Sequence, residues 1–93
     1  YPLPLIFGDN AEYDFVNLFY LLEEHNFPLE RVKNYYYFQI GRWDLKLSNN
    51  QLIRLPADEI TSAIKLIIEL LNRKDFKNYN IIDLRINGKV ITE

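Results

Sequence analysis

One histidine, His25, and no cysteine leave this chain little with which to do covalent or metal chemistry. A nucleophile needs an adjacent base, and a metal needs several ligands of the right type. Nothing suitable is spaced near His25, which falls at the predicted C-terminal end of a helix, where the helix dipole favours a cation. Glu23 and Glu24 resemble an acid pair, but adjacent helical residues do not face each other, so both read as solvated surface. Gly8, Gly41 and Gly88 are too far apart to form a phosphate-cradling loop. The chain is therefore expected not to be an enzyme and to hold no cofactor and no metal.

The remaining chemistry is recognition. Asp83 and Arg85 share parity on a predicted strand. An arginine there can fork a partner's carboxylate, or it can pair with Asp83 or Asp44 across an open sheet face, where such a pair contributes little. The residues alone leave both open. Aromatics such as Tyr35, Tyr36 and Tyr37 can stack nucleic-acid bases only beside a basic groove. Here eleven basic and thirteen acidic residues are spread without blocks, for a net charge of −2, so no nucleic-acid partner is expected. Strand alternation instead puts two of these tyrosines on one face and one on the other. Trp43, in phase with Leu45 and Leu47, reads as core.

These residues need elements to hold them. Leu3–Phe7 is a short apolar run behind two prolines, suited to an edge strand. Asp9–Glu12 has the form of a capping box, and Phe15, Leu18, Phe19 and Leu22 recur at helical spacing to about Glu24. Residues 29–39 read as strand. Trp43–Leu47 alternates strictly, and Ser48-Asn49-Asn50 then turns the chain into a partner strand at 52–55. Ile60, Ile64, Ile67 and Leu71 mark a second helix over about 58–73. Ile81–Ile86 is the last strong strand, and Asn87-Gly88 is either a hairpin turn or a bulge within one strand.

With 93 residues, 48% hydrophobic and 26% charged, the chain has the size and balance of one globular domain spanning 1–93. The element order predicts an α+β fold, a mainly antiparallel sheet with two amphipathic helices packed on one face. No apolar run reaches the length of a membrane span. The opening on Tyr1-Pro2, without methionine, reads as a domain taken from a longer protein.

The ordered landmarks Leu3-Pro4-Leu5-Ile6 with Gly8, Gly41-Arg42-Trp43-Asp44-Leu45-Lys46-Leu47, Ile53-Arg54-Leu55-Pro56 and Ile82-Asp83-Leu84-Arg85-Ile86-Asn87-Gly88-Lys89-Val90 resemble the periplasmic β domain of the FtsQ/DivIB cell-division family. The resemblance implies a non-catalytic scaffold of the divisome acting in septum formation. It implies a full-length protein crossing the inner membrane once, with a POTRA domain and membrane anchor outside this chain and this domain in the periplasm. It implies partners of the FtsB and FtsL type, received by adding a strand to a C-terminal edge strand (β-augmentation). Carried over by position, the partner-binding residues are Arg42, Arg85, Ile86, Asn87, Gly88, Lys89 and Val90, with Arg42 and Arg85 able to flank one partner carboxylate. The resemblance also favours a single bulged edge strand over an Asn-Gly hairpin. Ile86 departs from the aromatic that some members carry there. Two other readings compete: a peptide-binding, chaperone-like module of envelope assembly, and a non-catalytic fragment of a larger enzyme.

Overall fold

The computed structural model describes residues 4–86 and 89–93. Six strands, β1 (Leu5–Phe7), β2 (Val32–Phe38), β3 (Arg42–Leu47), β4 (Leu52–Arg54), β5 (Ile81–Asp83) and β6 (Ile91–Thr92), form one sheet in chain order. Helix α1 (Ala11–Glu24) joins β1 to β2, and α2 (Ile60–Leu71) joins β4 to β5.

The expectation of a mainly antiparallel sheet is overturned: the sheet is mixed. β1 runs parallel to β2 and β4 parallel to β5, while β2/β3, β3/β4 and β5/β6 are antiparallel. The reason lies in the helices. Each is a crossover that carries the chain back to the end where the preceding strand began, as adjacent parallel strands require. β2 and β4 are both antiparallel to β3, so they point the same way, and both crossovers step in the same direction across the sheet. With the common handedness of such connections, both helices fall on one face.

That face holds the core. Along one row, Ile6, Tyr35, Leu45, Ile53 and Ile82 stand side by side in register. All but the edge residue Ile6 are buried, together with Leu18 and Leu22 of α1 and Ala63, Ile64 and Ile67 of α2. Tyr35 and Tyr37 point inward and Tyr36 outward, the division that alternation predicts. Burial pushes the Tyr35 hydroxyl up to about 12. Trp43 is fully enclosed among Phe15, Tyr35 and Tyr37, and its indole Nε1 donates to Asp14 Oδ2 of α1 at 2.8 Å. This bond satisfies the one polar atom of the tryptophan and pins α1 to β3.

The helix starts differ from expectation. No side chain caps α1. Instead Asn10 takes a left-handed conformation (φ 63°), and the Ala11 amide donates to the Gly8 carbonyl at 3.2 Å. Gly8 itself has φ +121°, and a Cβ there would lie 2.4 Å from the Tyr37 carbonyl oxygen, so only glycine fits where the chain leaves the sheet. At the other end, His25 is the C-terminal cap residue.

The β3–β4 hairpin forms as predicted, with Asn50 left-handed at its turn (φ 72°). Just after the turn, buried Gln51 donates through Nε2 to the carbonyls of Phe76 (2.7 Å) and Tyr79 (2.8 Å). One amide side chain thereby ties the hairpin to the connection between α2 and β5.

Candidate partner-binding site

The face of the sheet away from the helices carries the charge. Its central row runs Phe7, Tyr36, Asp44, Arg54 and Asp83 from β1 to β5, each paired in register with the next. The Phe7 and Tyr36 rings stack with centroids 5.2 Å apart.

Arg42 and Asp44, two apart on β3, point to this face as parity predicts. They are nevertheless buried, with side chains 10% and 7% exposed. The Arg42 guanidinium donates to Asp44 Oδ1 through one nitrogen and lies 4.3 Å above the Phe38 ring, its cross-strand neighbour. Stacking and pairing together compensate the lost hydration of the cation.

Arg85 lies just beyond β5 and turns back on Asp83. Its Nε reaches both carboxylate oxygens at 2.9 and 3.0 Å, an Nη donates at 2.6 Å, and its backbone N–H donates to Oδ1 at 3.0 Å. The local pair that Arg85 forms is with Asp83 and not with Asp44. The hydrogen bonds from Arg85 hold the Asp83 carboxyl below its ordinary value, and the charge of Arg54 adds to the effect. The pairing with Asp83 in turn raises the pKa of Arg85.

Arg42 and Arg85 line one open groove of about 790 Å³, with Ile40 on one wall and Pro56, Asp58 and Glu59 on another. Beside it lies a smaller notch of about 120 Å³ among Ala63, Leu66, Leu84, Ile86 and Lys89. Arg42, Arg85, Ile86 and Lys89 thus meet at the end of the sheet where α2 begins. Val90 is exposed next to β6, and Asn87 and Gly88 lie outside the described residues.

A single edge strand running on through Val90 is not formed. The chain reverses between Asp83 and Ile91, and β6 pairs antiparallel with β5, Ile82 opposite Thr92 and Asp83 opposite Ile91. Residues 84–86 and 89–90 belong to the connection, so the C-terminal rim of the sheet is β6. Glu93 exchanges both backbone bonds with Ile81, at 3.0 and 3.3 Å. By the alternation of an antiparallel ladder, the N–H and C=O of Thr92 therefore face away from β5. Exposed Ile91 and Val90 flank them.

Members of this site not singled out from sequence include Asp58, Glu59, Ile40 and Arg54, together with Ile91 and Thr92 of the rim. Ile40 lies in a connection without periodicity, while Asp58 and Glu59, read from sequence as the start of the second helix, precede its observed start at Ile60. Arg54 carried a weak signal, since it alternates with buried Ile53 and Leu55 and so had to share the outer face with Asp44.

Comparison with known proteins supplies independent information. The family model described as "Cell division protein FtsQ/DivIB, C-terminal" matches residues 2–85. The chain is 30% identical to the cell division protein FtsQ of Cereibacter sphaeroides over 91 residues, covering 96% of this chain and 30% of that protein. It is 34% identical to FtsQ of Rickettsia conorii over 77 residues (78% and 29%) and 37% identical to FtsQ of Rickettsia typhi over 73 residues (74% and 27%). The chain spans less than a third of the length of these relatives. Among the described residues, no helix is long and apolar enough to cross a membrane.

Proposed function

This chain belongs to the FtsQ/DivIB family of cell-division proteins, and from that premise we propose that it is a non-catalytic binding domain of the division machinery, taking a strand from a partner protein at its C-terminal rim. The partners are of the FtsB and FtsL type. The domain works on the periplasmic side of the inner membrane, within a longer protein that the membrane anchors.

The observation that carries this reading is the open rim of β6. A partner strand laid against it would find the donor and acceptor of Thr92 ready, and apolar contacts at Val90 and Ile91. Arg85, Ile86 and Lys89 carry the surface from this rim toward the groove. There Arg85 would receive an acidic side chain of the partner, with Arg42 held by Asp44 in the groove wall.

Titration with a soluble FtsB/FtsL-type fragment tests it. Thr92→Pro removes the outward donor without touching the bonds to β5, and Arg85→Ala removes the charge at the groove. Each is expected to weaken binding at least about tenfold while leaving the thermal midpoint in place. Affinity unchanged in both variants would overturn the proposal.

A further inference from the structure

The outer face holds three arginines along one stretch with two aspartates, and the odd one is Arg54. Asp44 is taken by Arg42, and Asp83 by Arg85. Arg54 stands between them in register, opposite Asp44 on β3 and opposite Asp83 on β5. Yet its Nε is buried and has no hydrogen-bond partner among the described residues. A buried guanidinium N–H without an acceptor is unfavourable, and native folds rarely tolerate one without cause.

The two partnered arginines differ in their freedom to move. Arg42 is enclosed, whereas the Arg85 side chain is 43% exposed and also lines the groove. Asp83 is only 12% exposed. If Arg85 turned to another carboxylate, Asp83 would be left as a largely buried anion with no partner, a heavy penalty on any binding that recruits Arg85. Arg54 is a donor placed to remove it, on the adjacent strand with an N–H unused among the described residues.

We propose that Arg54 is the standby partner of Asp83: when Arg85 swings to a carboxylate in the groove, Asp83 passes from Arg85 to Arg54. One exchange satisfies both the released aspartate and the orphan Nε. Arg54 is thus a positioning residue, which never touches the ligand but makes Arg85 available. The role of Arg85 toward a partner rests on the function proposed above; the exchange itself does not, and can be tested without a partner.

The test is an NMR titration of the Asp83 carboxyl carbon in the unaltered chain and in Arg85→Ala, Arg54→Met and the double variant. Either single variant is expected to keep Asp83 below its ordinary range, since one arginine substitutes for the other. The double variant should release it upward. In Arg85→Ala the Arg54 Nε–H signal should also move downfield and exchange more slowly, and Arg54→Lys should restore only part of the effect. The proposal is overturned if Arg85→Ala alone raises Asp83 as far as the double variant. It is equally overturned if the Nε–H signal is the same with and without Arg85. A strand peptide bearing Glu, compared with its Gln counterpart, separates the two ideas. Arg54→Met should weaken the Glu peptide about tenfold and spare the Gln peptide. If Arg85→Ala does not distinguish the peptides, the role given to Arg85 falls, while the exchange is judged by the titration.

Discussion

Arg42–Asp44 and Arg85–Asp83 are the same arrangement made twice on one face of one sheet, each an arginine and an aspartate two residues apart. Their surroundings make them opposites. β3 has strands on both sides, Phe38 covers the Arg42 guanidinium, and both members of the pair are nearly out of water. Arg85 sits past the end of a three-residue strand, with almost half of its side chain in solvent. The interior pair is committed to the fold. The outer pair keeps its arginine available to a ligand, because the Arg85 side chain is nearly half in solvent and Arg54 stands opposite Asp83 on the adjacent strand.

The strongest way to break this contrast is Asp44→Ala. It leaves the Arg42 cation enclosed and unpaired, and is expected to lower unfolding free energy by about 3–5 kcal/mol in a denaturant titration. Replacing both members, Arg42→Met with Asp44→Leu, should recover most of that loss, since an apolar pair of similar volume avoids desolvation altogether. A double variant as unstable as Asp44→Ala would show that the arginine has a structural role beyond its pairing.

The outer pair should respond to pH more than to truncation. Asp83 has its carboxyl held below the ordinary 3.8 in the folded chain. The unfolded chain therefore binds the proton first as pH falls. The stabilisation is complete above the unfolded value and is lost as pH drops through the folded one. Asp83→Asn should thus lower the thermal midpoint at neutral pH and converge on the unaltered chain well below about pH 4. A constant gap across that range would mean that the carboxylate's charge is not what stabilises. Arg85→Ala is the mildest of the set, and its midpoint at neutral pH should hardly move.

The β3–β4 hairpin, the inward Trp43 and the split of the three tyrosines were legible because alternation reports which face a residue occupies. Strand direction was not. The same pattern of Leu5–Phe7 or Ile81–Asp83 suits a parallel or an antiparallel neighbour, and only the crossovers decide. Burial on the outer face was equally hidden, because what covers Arg42 is Phe38 on the next strand. At the site, the residue types and the Asp83–Arg85 spacing could be read directly. The turn-back at β6 could not, since Asn-Gly suits a bulge as well as a reversal. The Gln51 clamp left no trace either, because its partners are backbone carbonyls of a segment more than twenty residues away.

The coincidence of sheet order with chain order has a consequence for how the molecule comes together. Every strand docks beside the one made just before it, so none has to thread between two already placed. Assembly can proceed by accretion from the β2–β3–β4 middle outward. The rims, β1 and the two-residue β6, join last and let go first. Amide exchange would then be fastest at those rims, and the surface offered to a partner is the part of the sheet that is cheapest to rearrange.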